Sequence, residues 1–319
     1  MESLENNITQ TNAPIAIFAY NRPTHLARCL NSLLENEEFY LSQIWIFQDG
    51  AKDFNDNKYK ETTEIICDFV ETNRLSANIK FIKRNSNYGL QNSILKGIDE
   101  VFEKSTKIIV VEDDLQLSRY FLKYCNYYLN KYQHEPKVAS IQGYTYPQGR
   151  KIDKPYFLKG ADCWGWATWK NRWIELERES SLLLDELKAR GEIYAFDFNG
   201  SFGYSNMLFR QSKEKANSWA IRWHASMYLR NKLSLYPPES LVINLGGDGT
   251  GTNMMETNIY DVSLSEVPIL ESYIPPKESK EIRRSIIKYF RKNNNIPLFK
   301  VAAYWILNQL NLYEKVVLK

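Results

Sequence analysis

Cysteine is scarce and scattered. The four thiols, Cys29, Cys67, Cys125 and Cys163, include no C-x-x-C pair, and the polar start MESLENNITQTN carries no secretory signal. Free thiols in a reducing cytoplasm are expected, with neither a disulfide framework nor a zinc site. Long hydrophobic runs are missing too: near the C-terminus the longest is Val301 to Leu307, far short of the roughly 20 residues that cross a bilayer. The chain is therefore expected to be soluble, or peripheral at the inner face of a cell membrane. Net charge is nearly absent, at +3, which argues against a nucleic-acid partner gripped by a basic face. Neither G-x-G-x-x-G nor G-x-x-x-x-G-K-S/T occurs. A Rossmann dehydrogenase and a P-loop NTPase each need such a phosphate loop, so both are set aside.

What is present is ordinary globular composition, 44% apolar and 25% charged over 319 residues, suited to one large α/β domain or two modest ones. Aromatic residues reach 14%; stacking platforms for sugars or bases would use them, and so would a bulky core. Charge is unevenly spread, with ten basic residues against three acidic ones from Lys277 to Lys319. There, Ile282, Ile286, Ile287 and Phe290 recur at helical spacing, with Arg283, Arg284, Lys288 and Arg291 between them. That is the pattern of a basic amphipathic helix, which either lies on an anionic membrane surface or packs its apolar stripe on its own domain. Pro275-Pro276 marks a boundary before it.

The first half alternates strand and helix signals. Ile15 to Phe18 reads as a strand, Tyr20-Asn21-Arg22-Pro23 as a turn, and Leu26, Cys29, Leu30, Leu33 and Leu34 as one helix face. Ile44 to Phe47, Ile79 to Ile82 and Lys107 to Val111 read as further strands, with helices over Thr62 to Val70 and Ile94 to Phe102. A mostly parallel sheet covered on both sides follows. In such a sheet ligands sit outside the carboxyl ends of the strands. Those ends carry Tyr20-Asn21-Arg22, Asp49, Asn87 to Gln91, and Glu112-Asp113-Asp114. Three acids leaving one strand are costly unless a cation such as Mg²⁺ or Mn²⁺ neutralises them, and such an ion usually also binds substrate phosphates. An acidic helix start would show the same letters.

The order A-Y-N-R-P, I-F-Q-D-G, N-x-G-L-Q-N and V-V-E-D-D-L, followed by D-C-W-G-W-A-T-W over Asp162 to Trp169, resembles the GT-A glycosyltransferases. It is most similar to the N-acetylglucosaminyltransferase I family and the related bacterial family-two enzymes, over about Pro14 to Asn253. The resemblance implies a Rossmann-like α/β GT-A fold with a C-terminal helical tail. It divides the chain into a flexible N-terminus (1–13), a nucleotide-sugar half (14–143), an acceptor half of the same domain (144–272) and the basic tail (273–319). It implies metal-dependent transfer, with inversion, of a hexose or N-acetylhexosamine from a UDP-sugar. The acceptor would be a glycan or lipid-linked glycan in bacterial surface polysaccharide or glycoconjugate synthesis, with Mn²⁺ or Mg²⁺ as cofactor.

Carried onto this chain, the resemblance puts Ala19, Tyr20, Asn21 and Arg22 along the nucleotide, with Arg22 near base or phosphate. Asp49 would accept the uracil N3–H, and Asn87, Gly89 and Gln91 complete the donor rim. Glu112 and Asp113 would face the ribose and the metal's waters, and Asp114, in this DXD-like E-D-D, would ligate the metal. The family's base-bearing W-D-D-W-like segment reads Trp219-Ala220-Ile221-Arg222-Trp223 here, without the acid. Candidate bases are then Asp248, in a glycine-rich turn, and secondly Asp162. Trp164 and Trp166 are candidate sugar platforms, with Arg222 and His224 nearby on the acceptor side. Each has a plain rival: Asp49 and Asp248 can simply make turns, the tryptophans can be core, and His224 can be a structural histidine. Two other readings stay open, a sugar nucleotidyltransferase and a non-catalytic glycan-binding module or degenerate transferase.

Overall fold

The computed structural model describes residues 12–216, 218–249, 257–269 and 271–318. Most of the expected N-terminal segment 1–13, and the end of the glycine-rich turn at 250–252, lie outside the described residues. The chain runs β1 (Ile15–Ala19), α1 (Pro23–Leu34), β2 (Gln43–Gln48), α2 (Asn57–Asn73), β3 (Asn78–Lys83), α3 (Leu90–Phe102), β4 (Lys107–Glu112), β5 (Leu115–Leu117) and α4 (Phe121–Lys131). It continues with β6 (Val138–Gln142), β7 (Tyr156–Lys159), β8 (Trp166–Trp169), α5 (Lys170–Trp173), α6 (Ser180–Ala189), α7 (Ile193–Phe196), α8 (Tyr204–Ser212) and α9 (Trp219–Leu229). Then follow β9 (Leu233–Tyr236), β10 (Val242–Asn244), α10 (Lys280–Asn293), α11 (Leu298–Gln309) and α12 (Tyr313–Val317).

Eight strands form one sheet in the order β3-β2-β1-β4-β8-β6-β9-β7. β1, β2, β3 and β4 pair in parallel, as do β6 and β9, while β8 and β7 run antiparallel to their neighbours. The continuous apolar runs are explained by burial on both faces. Ile15, Ile17, Ile44, Ile46, Ile109 and Val111 point into a core under α1, α2 and α4. Ala16, Phe18, Trp45, Phe47, Ile108 and Val110 point into a second core under α3 and α9. The alternation is the strand period of two, with apolar residues at every position because neither face meets water.

The amphipathic stripe near the C-terminus is a helix as expected, and its position corrects one of the two readings offered for it. Ile282, Ile286, Ile287 and Phe290 of α10 are buried in the first core. The stripe is covered by the domain itself, so this face is not what would enter a membrane. Ser279 caps α10 by accepting from Ile282 N, and Phe157 and Glu278 bridge the segment to the edge strand β7.

Asp197, at the end of α7, ties this region together. It accepts from Ser205 N (2.7 Å), Ser205 Oγ (2.6 Å) and Tyr313 Oη (3.2 Å), and burial pushes its pKa up from 3.8 to about 7. The native state thus holds a proton that the unfolded chain releases. The contribution of this group to stability is greatest below about pH 4 and falls as pH rises toward 7. Asp197→Asn is expected to flatten that part of the Tm–pH profile; an unchanged slope between pH 4 and 7 would show that the carboxyl titrates normally.

Candidate active site

β1 lies between β2 and β4, so the chain leaves β1 in one direction across the sheet and returns to β4 on the other side. That reversal opens a crevice at the carboxyl ends of β1 and β4. Pro23 starts α1, where its missing N–H costs nothing, and the turn before it aims Arg22 across the crevice. Arg22 Nη1 lies 2.8 Å from Asp114 Oδ2 and 3.9 Å from Asp113 Oδ1. Tyr20 N donates to Asp113 Oδ2 at 3.3 Å. The arginine and the acid triplet, 92 positions apart in the chain, therefore form one cluster.

The acids are under electrostatic pressure. Burial and the charge of Asp114 push Asp113 up to about 7, against the opposing pull of Arg22 and the Tyr20 N–H. Burial, Asp114 and Asp113 together push Glu112 well above its usual range. One guanidinium faces three carboxyls, and a second cation would relieve what remains. Among the described residues no three His, Cys, Asp or Glu side chains form a ready-made metal cage. Mg²⁺ and Mn²⁺ do not require one, because they often take one or two carboxylates and complete their shell with waters and substrate phosphates. Hard oxygen donors in excess of their cations fit such an ion, and Asp114 and Asp113 are the carboxylates at the crevice that could hold it.

A second ribbon completes the cluster. β10 pairs antiparallel with β5, the strand directly after the acids, with Asn244 opposite Leu115. The loop after β10 is thereby delivered to the acids: Leu245 N donates to Asp114 O at 2.8 Å. Gly246 lies tight against the acids, where a Cβ would come within 2.5 Å of Asp114 Oδ2. Asp248 follows one turn later, with its side chain 43% exposed and its Oδ2 3.1 Å from His25 Nε2. An open cleft of about 600 Å³ runs along this loop, lined by Asn244, Asp248, Asn258 and Asp261 among others. His25 is a site residue that sequence reasoning missed. Its signal was its place three residues after Arg22, on the same face of the first turn of α1.

The donor rim differs in part from expectation. Asp49 is 4% exposed, and its oxygens accept from the backbone N–H groups of Gly50 (2.9 Å), Tyr88 (2.8 Å) and Gly89 (2.9 Å). It is a staple joining the exits of β2 and β3 rather than an open acceptor for a base. Asn87 reinforces the staple by donating to Gly50 O at 2.7 Å, and the loops abut so closely that a Cβ on Gly50 would lie 2.2 Å from the Ser86 carbonyl carbon. Gly89 takes φ +76° to start α3. Ala19 O accepts from Asp49 N at 3.0 Å, Asn21 donates to Asp56 at 2.8 Å, and Gln91 pairs with Gln211 of α8.

On the acceptor side most candidates prove to be structural. Trp166 is fully buried, stacks with Trp219 and packs at a tilt on Trp223 in the second core, which removes it as a platform. The Trp219–Trp223 segment is thus helix α9 with both indoles packed inward. Arg222 is buried and donates to Arg178 O, and burial lowers its pKa. His224 is buried against Tyr204, with Nδ1 2.9 Å from Ala161 O, and burial lowers its pKa as well. Both are closed off from solvent. Asp162 Oδ2 accepts from Tyr146 and Tyr236, each at 2.7 Å. Trp164 is half-buried, edge-on to Tyr144 and Tyr260. Its neighbour Cys163 is pushed up by burial and by the charges of Glu112, Asp162 and Asp114, so this stretch borders the acids.

The fold is therefore an α/β GT-A arrangement, with arginine, acids and a glycine-flanked aspartate gathered at one crevice. Residues 15–166 match the family model described as Glycosyl transferase family 2, which supports a nucleotide-sugar-using glycosyltransferase. The match bears on the family-two side of the resemblance and not on the N-acetylglucosaminyltransferase I side. No curated protein matches the chain. Among solved structures, S. aureus TarS 1-349 is 12% identical over 72% of this chain and 59% of its own, with a TM-score of 0.41. TarS 1-349 in complex with UDP is 15% identical over 44% and 38%, with a TM-score of 0.33. The Pyrobaculum calidifontis mannosyltransferase PcManGT, in complex with GDP-Man and Mn2+, is 13% identical over 43% and 36%, with a TM-score of 0.33. This chain spans less than two thirds of the length of each.

Proposed function

We propose that the protein is a glycosyltransferase that moves a hexose or N-acetylhexosamine from a UDP-sugar to a hydroxyl of a glycan or lipid-linked glycan, with inversion. The acceptor class we favour is an intermediate of surface polysaccharide or glycoconjugate assembly. The observation that carries the reading is the acid triplet at the end of β4, facing Arg22 across the β1–β4 crevice within the family-two stretch. Asp114 would hold a divalent cation, which would supply positive charge to the departing diphosphate. Arg22 stands at the same point and offers a planar fork to phosphate oxygens. Asp248 takes the proton of the attacking hydroxyl while the new O–C1 bond forms and the C1–O bond to the diphosphate breaks, its electron pair leaving with the diphosphate. His25 holds the Asp248 carboxylate in place, and Trp164, the half-buried indole next to Cys163, is the platform for the acceptor sugar.

Nucleotide release and thermal unfolding with UDP- and GDP-sugars, each with Mn²⁺ or with chelator, test this. A donor at a hundred times its Kd adds about 2.7 kcal/mol of stability. UDP release with a metal-dependent rise in Tm is the expected result. Pyrophosphate release would instead mark a nucleotidyltransferase, and neither product a binding module. Asp248→Asn is expected to lower turnover by about 10²-fold or more while leaving the donor-induced Tm shift intact; unaltered turnover would move the base to Asp162.

A further inference from the structure

With the α10 stripe buried, the exposed apolar surface of this region lies elsewhere. Among the described residues, large hydrophobic side chains in contact with water concentrate on α11 and just beyond it. Leu298 is 85% exposed, Phe299 77%, Trp305 56%, Ile306 49% and Leu310 60%. At 100° per residue these five, with Ala302, fall on one uncharged side of the helix. The other side leans on the domain through Tyr304 and Leu307, and Tyr304 meets Tyr313 of α12 edge-on at 5.2 Å. An exposed apolar patch of this kind marks a contact surface.

Charge identifies what it contacts. No acidic residue occurs from Ile282 to Tyr313, while Arg283, Arg284, Lys288, Arg291, Lys292 and Lys300 all do. Arg284, Lys288 and Lys292 are exposed and, at four-residue spacing, share one face of α10. A cationic row followed by an aromatic-bearing apolar helix is complementary to an anionic bilayer surface, where Trp and Phe settle at the headgroup boundary and lysines meet anionic lipid. A twofold contact between copies would instead set two such cationic segments against each other. No described helix is long and apolar enough to cross a membrane, so the contact is in the plane of the surface.

We propose that α11 docks the protein on an anionic lipid surface, with Phe299 and Trp305 entering the headgroup boundary and the exposed bases of α10 over anionic headgroups. This does not rest on the donor-site chemistry, and its test needs no activity. Deleting the tail is unsuitable, because α10 is core. The full chain is instead mixed with vesicles of phosphatidylcholine alone and of an equal mixture with phosphatidylglycerol, at about 0.1 M and about 0.5 M salt. Sedimentation with the mixed vesicles only, released by high salt, is expected, with nitroxide-labelled lipid quenching Trp305. Phe299→Ser/Trp305→Ser should lower the bound fraction by about tenfold or more at unchanged Tm, and Lys288→Glu/Lys292→Glu should weaken binding and flatten its salt dependence. The proposal is overturned if the wild type ignores the mixed vesicles or if the first double variant binds them equally. It is equally overturned if ultracentrifugation shows a dimer that this variant dissolves, which would make the patch a self-interface.

Discussion

Asp114→Ala is expected to lower sugar transfer by about 10³-fold and to abolish the metal-dependent part of nucleotide binding, while the protein stays folded. The reason is that Asp114 is the acid of the triplet held at the crevice by Arg22 and the Gly246 loop. A charge that meets the leaving diphosphate through a bound cation acts where negative charge develops, and removing one such electrostatic contact typically costs 10²- to 10³-fold or more. Folding should survive because the substitution removes one member of a repelling set; Asp113 and Glu112 are pushed up partly by this very charge. Their pKa values should fall when it is gone. UDP release and the Tm shift with and without Mn²⁺ are the readouts. A variant that keeps its metal-dependent shift would assign the ion to Asp113 instead.

The second large effect is on stability. Phe290→Ala is expected to destabilise the chain by about 3–5 kcal/mol, a large share of the roughly 5–15 kcal/mol a domain possesses. Phe290 is fully buried and packs on Phe202 at 4.6 Å, Tyr146 at 5.5 Å and Phe198 at 5.7 Å. Truncating it leaves a cavity that these rings, held by their own contacts, cannot collapse to fill. Denaturant unfolding should show a lower midpoint at unchanged slope. Phe299→Ala, nine residues on and 77% exposed, should stay within about 0.5 kcal/mol of wild type. Equal costs for the two would mean that α11 is core and that the lipid surface proposed for it does not exist.

The contrast between those two phenylalanines shows where sequence reading runs out. Helical spacing places Ile282, Ile286, Ile287 and Phe290 on one stripe, but a stripe is equally suited to lipid or to a domain core, and the rings that decide it for Phe290, those of Tyr146, Phe198 and Phe202, lie far back in the chain. Trp164 and Trp166 illustrate the same limit. Two residues apart, they differ in that one lies half-open beside Tyr260 and the other lies at the bottom of a tryptophan cluster. Strand alternation tells them from their neighbours without telling which face is closed.

The features legible in the residues alone are local: the alternating strands and helices, and the short polar strings A-Y-N-R and E-D-D at the strand ends, where a parallel sheet must place its ligand. Each lies within a few consecutive residues, so periodicity and turn chemistry suffice to read it. The features that needed the folded chain are long-range: Arg22 against Asp114, His25 against Asp248, Asp49 turned inward as a staple, His224 and Arg222 buried. Those outcomes depend on which loops the sheet order and the β5–β10 ribbon bring together. A carboxylate's role follows from the donors that reach it, and those donors come from distant parts of the chain.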